Sequence, residues 1–175
     1  MNSLTATNEV EVLNPWNLLQ KAAPVCALLV LVTDQISKLW VREGLLLGES
    51  IPEGGALRIT HMANPGIIFG FPAPSAVSVF LSVAAIVVFI FMYRAYVSSD
   101  SRLLNVGVGL FIGGSLGNLV DRIAFGQVTD FIDVGMQDAL VRTTFNLADV
   151  CIIAGIILFG IFFVRHRLGE MTKSS

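Results

Sequence analysis

Charge is scarce in this sequence: Asp, Glu, Lys and Arg make up 14% of the 175 residues, against 54% that are hydrophobic. A chain so poor in charge, with a mean hydropathy of +0.76, has lipid and not water as its main solvent. Basic residues are few as well. A formal net charge of -2 leaves no cationic footprint of the kind a phosphate backbone requires, so no nucleic-acid partner is expected. Cysteine is limited to Cys26 and Cys151, both inside apolar runs where a thiol behaves as a small hydrophobe, and neither a disulfide nor a metal role is assigned to them. No Lys or Arg precedes Lys21. The polar stretch from Met1 to Gln20, with Glu9 and Glu11, is therefore a poor signal-peptide n-region, and the first apolar run is expected to remain as a helix. With no internal repeat, low-complexity tract or second domain, residues 1–175 read as a single integral membrane domain in which residues 1–21 form a cytoplasmic N-terminal extension.

What is abundant is apolar sequence in long runs. A hydrocarbon core of about 30 Å needs roughly 20 apolar residues of helix, and four runs approach that length, at about 22–41, 73–93, 103–120 and 149–164. Asp34, Gln35 and Lys38 interrupt the first late in its course. The third contains Gly109, Gly113 and Gly117 at every fourth position, one helix face that favours close packing in lipid. Arg165, His166 and Arg167 stop the fourth and mark a water interface. The expected fold is an all-α membrane protein of four transmembrane helices. Alternation from Leu57 to His61 gives one short strand, and Val128 to Val134 reads as another, so a small β-rich cradle resting on the membrane surface is expected.

Four spans put the two long polar segments, about residues 42–72 and 121–148, on one side of the membrane. Lys21, Arg94, Arg102, Arg165, Arg167 and Lys173 fall with the termini and the short link, while Lys38, Arg42, Arg58, Arg122 and Arg142 fall on the other side. That slight bias places the termini in the cytoplasm.

Ionisable groups in or at the edge of a span are costly, which makes each a functional candidate until a structural partner is found. Asp34 and Lys38, four apart on one helix, can form a packing pair with Lys38 snorkelling to the interface, or can shape a polar pocket near the outer leaflet. Asn118, Asp121 and Arg122 sit at the end of the third run, where they can satisfy loose backbone groups. Asn146 and Asp149 stand where the fourth run begins, and Asp149 suits an N-cap. Asp130 is harder to explain structurally, because it lies in the otherwise apolar stretch Thr129-Asp130-Phe131-Ile132-Asp133. If that loop folds back onto the helix mouth, Asp130 and Asp149 can meet. Two close carboxylates in a poorly solvated site hold one proton between them and can act as the base and acid of an aspartic protease.

Three other chemistries are weighed against this. Gly113-Gly114-Ser115-Leu116-Gly117 fits G-x-S-x-G, but it lies within an apolar helix, with His61 alone in a loop and His166 on the opposite side. A phosphotransferase could hold Mg²⁺ on Asp121, Asp130 and Asp133, although the loops lack a basic cluster for phosphate. A small proton-coupled transporter would suit intramembrane acids, yet transporters keep them at the midplane between paired halves, and here they gather at one face.

Five segments, in order and from the first helix to the last, carry a family resemblance: Thr33-Asp34-Gln35 with Lys38, Asn64-Pro65-Gly66-Ile67-Ile68-Phe69-Gly70, Gly113 to Arg122, Gly126 to Asp133, and Phe145-Asn146-Leu147-Ala148-Asp149. Together they resemble the lipoprotein signal peptidases, or signal peptidase II. The resemblance implies a bacterial inner-membrane aspartyl endopeptidase with its site at the outer face. Such enzymes act without metal or organic cofactor and cut diacylglyceryl prolipoproteins just before the lipidated cysteine. It implies Asp130 and Asp149 as the catalytic dyad, with Asp34, Lys38, Asn64, Gly66, Asn118, Asp121, Arg122 and Asn146 lining or supporting the site. It also implies contact with membrane lipids and inhibition by the peptide antibiotic globomycin, and a monomer is expected. Family loops often read N-T-G-A-A-F, so the bulkier Ile67 and Ile68 of this chain bear on lipid or peptide preference.

Overall fold

A computed structural model describes residues 15–66, 74–96, 101–135 and 142–173. Its helices are α1 (Pro15–Gly44), α2 (Ser75–Tyr96), α3 (Arg102–Phe125) and α4 (Leu147–Lys173). Within them Ala22–Gly44, Ser75–Tyr96, Arg102–Phe125 and Leu147–Thr172 are long and apolar enough to cross a membrane. The four expected helices are present, and all four run past at least one expected end. Two of the extensions are polar stretches that find partners. Arg42 keeps α1 helical beyond Val41 by bonding Thr129 at 3.0 Å and stacking on Phe125. The last turns of α4 carry His166 and Arg167 against Glu170. Helix α3 ends where Gly126 takes a left-handed φ of 72° and returns its N–H to the Arg122 carbonyl, a closure that favours glycine. Helix α1 starts inside the stretch expected to be an extension, and residues 1–14 lie outside the described ones.

The strands β1 (Ser50–Ile51), β2 (Leu57–Asn64), β3 (Val128–Val134) and β4 (Thr143–Phe145) form one antiparallel sheet in the order β1-β2-β3-β4. The two strands expected from the sequence are β2 and β3. The outer two, of two and three residues, are too short to show a period. His61, at the end of the expected strand, lies in β2 and bonds the Leu45 carbonyl through Nδ1 at 2.9 Å. A register shift between Ile59 and Met62 re-aims β2, so that Met62 faces Asp130 and Asn64 faces Val128. The sheet rests on the end of the bundle through Val41, Leu45 and Phe131.

Helix α3 is the axis of the bundle, packed on α1, α4 and α2. Its glycines are what allow this. A Cβ on Gly113 would stand 2.5 Å from the Ala27 carbonyl of α1, and one on Gly114 would stand 2.5 Å from the Ala148 carbonyl of α4. Away from the sheet, an aromatic core of Phe89, Phe111, Phe159 and Phe162 holds α2, α3 and α4 together, with Phe89 and Phe111 stacked at 3.8 Å.

Candidate active site

Helix α4 begins immediately after β4, and its first turn is built by a reciprocal cap. The Asn146 side-chain oxygen accepts from the Asp149 N–H at 3.0 Å, while Asp149 Oδ2 accepts from the Asn146 N–H at 3.1 Å. The expectation of Asp149 as N-cap is thus corrected: Asn146 is the cap, and Asp149 is the acid three residues on that reaches back. This leaves the Asn146 side-chain N–H₂ free to leave the helix. It donates to Asp130 Oδ1 at 2.7 Å and to Asn118 Oδ1 at 3.1 Å. Asn118 donates in turn to Asp149 Oδ1 at 2.8 Å, and Asn64 donates across the sheet to Asp130 Oδ2 at 2.8 Å. Two asparagines therefore tie Asp130 and Asp149 into one bonded cluster.

The two acids sit in different surroundings. Asp130 is 1% exposed, whereas Asp149 is only half-buried at the mouth of the site. Burial pushes the Asp130 carboxyl up to about 6, with the nearby Asp149 charge adding to the rise and the Asn64 and Asn146 donors opposing it.

Beneath this pair lies a second polar layer. Lys38 Nζ touches Asp34 at 2.8 Å, Asp121 at 3.4 Å and Asn118 Oδ1 at 2.9 Å. Lys38 does not snorkel, because its side chain is 0% exposed, drawn inward by two carboxylates and an amide. Since Asn118 Oδ1 accepts from both Lys38 and Asn146, its N–H₂ is left to face Asp149. Asp34 also accepts from the Ala148 N–H at 3.0 Å, and a Cβ on Gly117 would collide with the Asp34 carboxylate. Asp121 holds the Thr129 N–H at 2.9 Å, which anchors the start of β3 beside Asp130. Arg122 reaches the Gly66 carbonyl at 3.5 Å, and the Gly66 N–H bonds Asn64 Oδ1 at 2.9 Å.

All the site residues expected from the sequence thus join one connected assembly, while Ile67 and Ile68 lie outside the described residues. Gln35, Arg42 and Thr129 belong to it and were not singled out as site residues. Gln35 Nε2 bonds the Gly117 carbonyl at 3.0 Å and Asp121 at 3.2 Å. A glutamine beside Asp34 in an apolar run was a usable signal, whereas nothing marked Arg42 or Thr129. The rival constellations do not assemble. Ser115 is buried in α3, and His166 stacks on Phe162. Asp133, a metal candidate in the phosphotransferase reading, is engaged by Arg58 at 2.6 Å and Arg142 at 3.0 Å, while Asp121 is engaged by Lys38 and Arg42.

Four membrane-crossing helices closed at one end by a small sheet, with two linked carboxyl groups at the junction, define a multi-pass membrane enzyme. The signal peptidase II (SPase II) family matches residues 26–165. The lipoprotein signal peptidase of Moorella thermoacetica is 41% identical over 135 residues, which covers 75% of this chain and 85% of that one. Its counterpart in Halothermothrix orenii is 33% identical over 148 residues, covering 83% and 98%. Two solved structures of bacterial membrane enzymes share the fold. One has a TM-score of 0.67 at 24% identity over 83% of this chain and 88% of that one. The other has a TM-score of 0.66 at 26% identity over 82% and 92%. The chain belongs to the signal peptidase II family, and so is a multi-pass aspartic peptidase of bacterial membranes.

Proposed function

We propose that this enzyme removes signal peptides from prolipoproteins by cutting before a diacylglyceryl-cysteine, with Asp130 and Asp149 as its catalytic pair. The observation that carries the proposal is the Asn146 amide, which caps Asp149 with its oxygen and bonds Asp130 with its nitrogen. The roles follow from the two environments. Asp149 lies in the first turn of α4, where the positive helix end favours a carboxylate, and it accepts from Asn118 and from a backbone N–H. Asp130 lies in a buried strand that favours the protonated form. A water between them gives a proton to Asp149 as its oxygen adds to the scissile carbonyl carbon, and Asp130 gives its proton to the carbonyl oxygen. The resulting diol collapses when the Asp149 proton passes to the amide nitrogen and the C–N bond breaks. One diol hydroxyl then returns its proton to Asp130.

The site faces the outer side of the membrane and the termini face the cytoplasm. In support, Lys38, Arg42, Arg58 and Arg142 at the sheet end are all held in ion pairs by buried acids. At the other end Arg94, Arg102 and Arg165 have no ion pair among the described residues. By count, six Lys and Arg fall with the termini and the short link against five at the sheet end, and the positive-inside rule puts the richer side in the cytoplasm. The enzyme works as a monomer among membrane lipids and is blocked by globomycin.

Incubation of the purified protein with a diacylated prolipoprotein tests this reading. Cleavage should be stopped by globomycin, unaffected by a chelator, and absent from Asp130→Asn and Asp149→Asn proteins that still fold. Normal cleavage by either variant would remove the pair from the mechanism.

A further inference from the structure

Helix α1 packs on α3 and α4, whereas α2 leans on α3. Between α1 and α2 this leaves a groove of about 540 Å³, floored by α3 and running along the half of the bundle away from the sheet. That volume is in the range, about 300–1,000 Å³, of sites that hold a small ligand. Its walls are Ala27 and Leu28 of α1 with Ile112 and Leu116 of α3, all apolar, and its far end is lined by Tyr93 and Arg94 of α2.

Helix α1 contributes alanines where a larger side chain would fill the groove. The polar end is also electropositive. Arg94 is exposed and has no ion pair among the described residues. Tyr93 points its hydroxyl at Asn105 Oδ1, 2.8 Å away, in the first turn of α3, a turn that contains no acid. An exposed guanidinium at the mouth of an apolar trough suits an anion carried on a hydrocarbon chain.

We propose that this groove binds one acyl chain of an anionic glycerophospholipid from the leaflet opposite the sheet, with its phosphate on Arg94. A signal-peptide helix is the competing occupant, but the basic n-region of such a helix would meet Arg94 as a like charge. The site is separate from the carboxylate pair and does not depend on what that pair does.

The test is lipid retention. The full-length protein is equilibrated in mixed micelles with phosphatidylglycerol and phosphatidylcholine of matched chains, and the lipid kept on the protein is counted by native mass spectrometry. The wild-type protein should keep phosphatidylglycerol over phosphatidylcholine. Arg94→Gln should lower that preference about fivefold, while Arg165→Gln, an exposed charge at the same end of the bundle, leaves it unchanged. Ile112→Phe and the lipid-exposed Leu28→Trp, which fill the groove, should each reduce retention of both lipids. Arg94 also complements the C-terminus of α2, so headgroup preference and not melting temperature is the readout that a purely structural role would not move. The proposal is overturned by equal retention of the two lipids in the wild-type protein, by equal losses in the two arginine variants, or by full lipid retention in both groove-filling variants. A raised KM for prolipoprotein in those variants with lipid retention intact would also overturn it and give the groove to the signal peptide.

Discussion

Strand β3 carries two buried acids three residues apart, Asp130 and Asp133, whose surroundings push them in opposite directions. Asp130 is raised from 3.8 to about 6, so between those values the folded protein binds a proton that the unfolded chain has lost, and stability falls as pH rises through that window. The shift corresponds to roughly 3 kcal/mol. Asp130→Asn has no such charge to bury. The stability difference between the two proteins should therefore move in favour of the variant, by on the order of 3 kcal/mol between about pH 4 and pH 8, read from unfolding in detergent at each pH. The mechanism proposed above needs the same proton. We expect kcat/KM to fall on the alkaline side with an apparent value near 6, and a flat profile through that region would remove Asp130 as the proton carrier. Asp133 behaves inversely. Burial alone would raise its carboxyl, but Arg58, Arg142 and the Thr60 hydroxyl outweigh burial and hold it below the usual carboxylate range. Its contribution is present above the unfolded value and is lost as pH falls through the folded one. Asp133→Asn should cost about 3 kcal/mol at neutral pH and leave the folded fraction able to cleave, because the side chain joins β2 to the start of β4 and makes no bond to the Asp130–Asp149 cluster.

At the scale of elements, the glycines of the spans separate into those that packing requires and those that nothing requires. Gly113 has the Ala27 backbone against it, so Gly113→Ala forces α1 and α3 apart and should cost about 1–3 kcal/mol. Gly160, in α4, has nothing within 4 Å, and Gly160→Ala should stabilise the helix by up to about 1 kcal/mol. Opposite shifts of melting temperature in detergent are the expected outcome, and equal shifts would mean that helix propensity alone governs both sites. The repeat of Gly109, Gly113 and Gly117 was legible as a packing face because a period of four survives in sequence. The helix ends were not legible, since Arg42, Asp121 and Arg122 look like terminators until their partners arrive from other elements. Strand β3 is legible to its observed ends, Val128 and Val134, as a short run of strand-favouring residues that is buried along most of its length. The reciprocal cap at Asn146 was half legible. Both residues were singled out, but which of them caps depends on whether the first helical residue is Leu147, and a boundary of that kind is where sequence says least.

For the molecule as a whole, the unusual feature is a set of charges sealed inside a protein that lives in lipid. Asp34, Lys38 and Asp121 are each 0% exposed, and together with Arg42 they join α1 to α3, while Asp34 also holds the Ala148 N–H at the start of α4. Sequence could place Asp34 and Lys38 on one helix face. It could not show that Lys38 turns inward, because the attraction comes from Asp121 and Asn118, which are about eighty residues away in the chain. Such a network is costly to bury and more costly to break: removing one partner strands the others without water to receive them. Lys38→Met would leave two carboxylates facing each other and would release the Asn118 oxygen that sets the direction of its amide toward Asp149. We expect a loss of about 3–5 kcal/mol together with loss of cleavage. The double variant Lys38→Met/Asp34→Asn removes one stranded charge, and so should regain part of the stability without regaining activity, because Asn118 stays unfixed. If the double variant were no more stable than Lys38→Met, repulsion between Asp34 and Asp121 would not be the cause of the loss. If it cleaved normally, Lys38 would have no part in aligning the site.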